Sequence, residues 1–148
     1  MVPNTADRVE QNTGDAINRK IAADLRDSVQ WHATHPHEIA VRLRELDAEW
    51  DIERTLEANA STLAFTGVVL GATVDRRWLA LPALVSAFLF QHAVQGWCPP
   101  LPILRRIGFR TAREIDAERT ALKALRGDFA GIEGSQDKAS MALKAART

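Results

Sequence analysis

The chain has 148 residues and a mass of 16.4 kDa, enough for one modest domain or a few helices around a short membrane segment, which excludes a large multidomain enzyme. Its 19 basic and 19 acidic side chains cancel to a formal net charge of zero, and its single cysteine excludes an intramolecular disulfide framework and a cysteine-only zinc site. No basic face or nucleic-acid signature is present and no catalytic constellation stands out, so nucleic acid is not an expected partner, no cofactor is called for, and the expected role is non-enzymatic.

The charge is unevenly spread. Residues 1–57 carry 7 basic and 12 acidic side chains, residues 58–97 carry 2 and 1, and residues 98–148 carry 10 and 6. The first eleven residues mix Asp7, Arg8 and Glu10 without an apolar run, so no signal peptide is expected. After Thr13-Gly14-Asp15, a plausible cap, Ile17, Ile21, Leu25 and Val29 repeat every four residues and predict an amphipathic helix stopping at His35-Pro36. His32, His35 and His37 fall within six residues there, and imidazole is a common metal ligand. Pro36 divides them between a helix end and a helix start, which favours ordinary helix-terminal histidines over a metal site. Beyond Pro36, Ile39, Leu43, Leu46 and Trp50 recur at helical spacing and predict a second amphipathic helix that ends near Glu57 and runs into the apolar region. This stripe is the candidate face for a protein partner or for self-docking.

From 58 to 97 the only charged residues are Asp75, Arg76 and Arg77, which divide two apolar stretches. The first, 58–74, would reach about 25 Å as a helix, and the second, 78–97, is long enough to cross the roughly 30 Å of a bilayer core. Trp78 and Trp97 at the two ends of the second stretch suit the lipid–water interface. The pattern predicts a two-helix transmembrane hairpin. Gly67 and Gly71 form a G-x-x-x-G pair in the first helix, facing small residues Ala83 and Ala87 in the second, for packing within the hairpin or for a homodimer through these helices. His92, with Gln91 and Gln95, suits an interhelical or interfacial hydrogen bond. Arginines near the membrane ends, Arg42, Arg44, Arg54, Arg105, Arg106, Arg110 and Arg113, outnumber Arg76 and Arg77 in the turn and place both termini in the cytoplasm.

The segment Gly96-Trp97-Cys98-Pro99-Pro100-Leu101-Pro102 ends the second helix through its prolines. Gly96, Cys98 and Pro99, followed by Ile107, Gly108 and Thr111, make residues 56–111 similar to the YgaP-like transmembrane domain family, bacterial inner-membrane hairpins that end in Gly-x-Cys-Pro. The resemblance implies a bacterial inner-membrane location and leaves the biochemical role open. Some relatives fuse the hairpin to a rhodanese sulfurtransferase domain, for which residues 1–57 offer neither a cysteine nor a strand pattern. Cys98 is the candidate thiol site. Arg105, Arg106 and Arg110 are candidate contacts to anionic lipid headgroups. Thr111-Ala112-Arg113-Glu114 matches a capping box for a third amphipathic helix carrying Ile115, Leu122 and Leu125 and stopping at Gly127. Residues 128–148 read as a mobile tail.

The expectation is therefore an all-α protein with an N-terminal amphipathic region (1–57), a transmembrane hairpin (58–97), a Cys-Pro loop with an amphipathic helix (98–127) and the tail. Its expected partners are the lipid bilayer and an unidentified protein, in an anchoring or scaffold role. Two alternatives stand beside it: a soluble oligomeric helical bundle with 58–97 as its core, and a membrane thiol-, sulfur- or metal-handling protein using Cys98 or the three histidines.

Overall fold

The computed structural model describes residues 5–135 and 137–147. Among them there is no strand. The helices are α1 (Thr5–Gln11), α2 (Asp15–Thr34), α3 (Ile39–Ala48), α4 (Ile52–Thr73), α5 (Ala80–Gln95), α6 (Leu101–Arg106), α7 (Ala112–Arg126) and α8 (Lys138–Arg147), with 3-10 turns at Pro36–Glu38 and Arg76–Leu79. The chain forms two compact units: residues up to Ile21 with Trp50–Arg113, and Ala22–Glu49 with Glu114 onward.

The first unit is built on α4 and α5, which pack along each other. Gly67 and Gly71 are buried on α4 because α5 and its preceding turn come too close for any side chain. A Cβ on Gly67 would lie 2.5 Å from Pro82 Cδ and one on Gly71 would lie 2.6 Å from Leu79 Cδ2. The close approach is made by Trp78, Leu79, Leu81 and Pro82, whereas Ala83 and Ala87, expected opposite the glycines, are exposed. Helical phase explains the correction: Ala83 and Ala87 follow Pro82 by one and by five positions, which at 3.6 residues per turn places both well round the helix from the contact face.

The other end of α5 is closed by α1, which composition alone did not announce. Arg8 Nη1 donates to the Val94 carbonyl at 2.6 Å and Asn12 Nδ2 donates to the Gln95 carbonyl at 3.1 Å, satisfying acceptors that a helix end leaves open. Gly96 follows at φ 72°, and a Cβ there would fall 2.3 Å from Arg8 Cβ. Val9, Ile52, Leu56, Cys98 and Leu101 form the buried cluster beneath this junction, with Trp97, Leu104 and Phe109 against it. Pro100 and Pro102, read as helix breakers, also begin α6, where a missing backbone donor costs nothing.

The second unit packs α3 on α7 through Ile39, Leu43, Leu46, Ile115 and Leu122. Of the two uses expected for the stripe, a protein partner or self-docking, Ile39, Leu43 and Leu46 serve the second, covered by α7 of the same chain. Leu125, expected on the α7 stripe, is exposed. Glu118 sits between Ile115 and Leu122 and is fully buried; its carboxylate accepts from Ser28 Oγ at 2.6 Å and from Arg42 Nε at 2.9 Å. Arg119 Nη2 adds bonds to the Leu46 carbonyl and Asp47. The expected continuous helix from Pro36 to the apolar region is interrupted: α3 ends at Ala48, Glu49 is extended, and Asp51 caps α4 by accepting from the Arg54 amide at 2.7 Å. Trp50 leaves the stripe for this break and lies half-exposed under the Arg54 guanidinium, 4.4 Å from it. The tail contains α8, whose Ala145 is buried and whose Ala146 carbonyl accepts from Lys123 Nζ at 2.8 Å.

Two substitutions test these junctions. Leu122→Ala is expected to lower stability by about 2–5 kcal/mol in urea unfolding of the full chain in detergent. Gly96→Ala, which forces a side chain into left-handed backbone, is expected to cost about 1–3 kcal/mol and to lower the thermal midpoint followed by circular dichroism.

Candidate functional site

The polar atoms of the first unit gather where α4 begins and α5 ends. Asp51 caps α4 and sets Glu53 in its first turn. His92 lies in the last turn of α5 and is 4% exposed. Its Nε2 meets Glu53 Oε2 at 3.0 Å, an interhelical bond in which the imidazole donates to the carboxylate. The carboxylate oxygen accepts, so Nε2 carries the proton in this bond. Nδ1 is buried and has no hydrogen-bond partner, and Glu53 Oε1 is likewise buried and unpartnered.

Cys98, just past the Gly96 turn, is 4% exposed and belongs to the buried cluster with Val9, Ile52, Leu56 and Leu101. Cys98 also lines an apolar cavity of about 410 Å³ whose walls include Leu56, Ala60, Leu63, Val85, Phe88 and Leu104. Glu53 is absent from the sequence reading because it belongs to a charged run; only the packing of α4 along α5 brings it to His92, 39 positions away. A lone histidine at the end of an apolar helix, which needs a partner when buried, is the signal that points to it.

The other candidate residues are placed differently. Arg105, expected at lipid headgroups, is 1% exposed and is consumed inside the unit: Nε donates to Thr13 Oγ1 at 3.2 Å, Nη2 to Asn18 Oδ1 at 3.0 Å and Nη1 to the Phe109 carbonyl at 3.1 Å. The short α6 turns it inward, while Arg106 is exposed and Arg110 half-buried. His32, His35 and His37 do not converge. His32 Nδ1 bonds the Ser28 carbonyl at 2.7 Å, His35 stacks on Trp31 at 3.8 Å between centroids, and His37 lies exposed near Glu38. Among the described residues no three His, Cys, Asp or Glu side chains are grouped as a metal site requires. The Trp31 indole N–H donates to Glu38 at 3.0 Å and holds that carboxyl below its ordinary range.

The second feature of the unit is its surface. Phe65 (71% exposed), Val68, Val69, Leu84, Phe90 (72% exposed) and Val94 present large apolar side chains outward from α4 and α5. Arg76–Gln95 is long and apolar enough to cross a membrane by length and composition, with 6% of it buried. It is the one such helix among the described residues, where the sequence pattern predicted two. The first turns of α4 carry Glu53, Arg54 and Glu57, which shortens its apolar part.

No family model matches the chain, and no curated protein or solved structure matches it.

The burial of Cys98 has a direct readout. In the native protein the thiol is expected to react with an anionic aromatic disulfide reagent at least tenfold more slowly than after denaturation, measured as release of the chromophore.

Proposed function

We propose that this chain is an integral protein of the bacterial inner membrane, an anchoring protein that inserts α4 and α5 as a hairpin with both termini in the cytoplasm. The observation that carries the reading is the apolar segment Arg76–Gln95 with 6% of its residues buried. A helix that is apolar all round is stable only when something apolar surrounds it. The chain covers one side of α5 with α4; lipid is the remaining cover.

Three features support taking α4 along. The glycine contact locks it to α5, so one helix does not enter without the other. Its hydroxyls are satisfied within the helix: Thr55, Thr62, Thr66 and Thr73 donate to carbonyls four residues back at 2.7–2.9 Å, and Ser61 donates to Glu57. Hydrogen bonds of this kind keep polar side chains compatible with hydrocarbon. The charges Asp75, Arg76 and Arg77 are confined to the connecting turn, and the larger number of arginines on the flanks favours a cytoplasmic location for both termini. The similarity of Gly96-Trp97-Cys98-Pro99 to YgaP-like hairpins belongs to the same proposal.

The partner in this reading is the bilayer. The glycine pair is engaged by the chain's own α5 and the α3 stripe by its own α7, which leaves neither for a homodimer or a second protein. Fractionation of tagged protein tests the anchor: the chain is expected to remain in the membrane pellet after an alkaline carbonate wash, and Phe90→Arg to reduce the retained fraction several-fold. Recovery of the unaltered chain in the soluble fraction overturns the proposal.

A further inference from the structure

The cavity between α4, α5 and α6 opens on the surface that faces lipid on the anchoring reading, on which this inference rests: Leu63 and Leu89 line it and are also exposed. Its volume of about 410 Å³ is that of a small-molecule site, and no charged side chain lines it. Asn59 stands exposed in its wall, two turns into α4, and its amide bonds no other described residue. An amide at that depth is out of place against acyl chains alone and calls for a polar group from outside the chain.

The α6 side of the rim supplies charge. Pro100 and Leu104 line the cavity, and Ile103 and Ile107, 63% and 67% exposed, continue the same side of α6 outward. Arg106, three positions past Ile103 and therefore its neighbour on the helix surface, is exposed beside them. Residues 98–113 contain four arginines and no acidic side chain. From the cavity outward α6 thus passes from apolar to cationic, the order in which a phospholipid passes from acyl chain to phosphate. We propose that the cavity is a site for one anionic glycerophospholipid. An acyl chain lies between α4, α5 and α6, the Asn59 amide donates to an ester carbonyl, and the Arg106 guanidinium pairs with the phosphate. A zwitterionic headgroup carries its own cation, which offsets the attraction, so the site prefers a lipid of net negative charge.

The probes are palmitoyl-oleoyl phosphatidylglycerol and phosphatidylcholine with the same chains, each added to the full chain in micelles of a neutral detergent. Native mass spectrometry counts the lipids retained. The expected result is one phosphatidylglycerol per chain, retained at least fivefold more than phosphatidylcholine. Arg106→Gln, a change at an exposed side chain, is expected to remove the preference. Ala60→Trp, which fills the cavity, and Asn59→Ala are expected to lower retention of both lipids several-fold. Excess glycerol 3-phosphate, a headgroup without chains, is expected to displace neither. The comparison of the two lipids is made on the unaltered protein and stands if a variant fails to fold. Equal retention of the two lipids, a preference that survives in Arg106→Gln, unchanged retention in folded Ala60→Trp or Asn59→Ala, or displacement by glycerol 3-phosphate overturns the proposal. Chain that stays in the carbonate-washed pellet yet shows no lipid preference brings down this site alone; unaltered chain in the soluble fraction brings down the anchor.

Discussion

A helix of apolar residues that the rest of the chain covers on one side sets the terms for everything around it. From Trp78 to Gln95 no side chain is charged, and much of the outward surface is Leu, Phe and Val. Apolar burial is worth about 25 cal/mol per Å², so an isolated α5 in water would be a large unfavourable exposure. The remedy within the chain is α4, brought close enough by Gly67 and Gly71 for backbone and side chain to touch. That remedy has a geometric limit, because a single neighbouring helix shields one face. On the proposed anchoring reading, lipid covers the surface left over.

The same constraint explains where polar chemistry is placed. Buried hydrogen-bonding groups of the first unit cluster at the α1–α5–α6 junction, away from the middle of α4 and α5. Arg8 and Asn12 close the carbonyl end of α5, Glu53 meets His92, and Arg105 is spent on Thr13, Asn18 and Phe109. Arg8 on α1, Glu53 on α4, His92 on α5 and Arg105 on α6 all take part, so the junction is held by directional bonds while the hairpin itself is held by close packing. In the second unit, Glu118 plays the corresponding part. A carboxylate in the centre of an apolar stripe fixes which residues of α2 and α3 face α7, because Ser28 and Arg42 must both reach it.

Much of this was legible in the chain as written. The period of Ile39, Leu43 and Leu46, the capping potential around Thr111, the stop at Gly127 and the charge-poor 58–97 region each act within a few residues, so local spacing carries them. What escaped depends on partners far apart in sequence. Arg105 reads as a headgroup cation until α6 turns it toward Thr13 and Asn18, about ninety positions earlier. Ala83 and Ala87 look like the complement of Gly67 and Gly71 because small residues suit close packing, yet the phase set by the Arg76–Leu79 turn presents Leu81 and Pro82 instead. The α3 stripe looks unpartnered until α7 supplies Ile115 and Leu122. Asp51 was counted as one charge in a helix when its side chain is the cap that begins a new one.

The position of the thiol follows from these same constraints. Gly96 ends α5 in left-handed backbone where α1 crosses, and the next residues must leave the helix at once because Pro99 and Pro100 follow. Cys98 is therefore delivered to the junction at the one level where the polar cluster and the apolar cavity meet. Here Glu53 holds the His92 imidazole at the end of α5, and Cys98 lines an apolar cavity. Packing accounts for the residue at position 98: Cys98 is 4% exposed among Val9, Ile52, Leu56 and Leu101, where a small, weakly polar side chain fits.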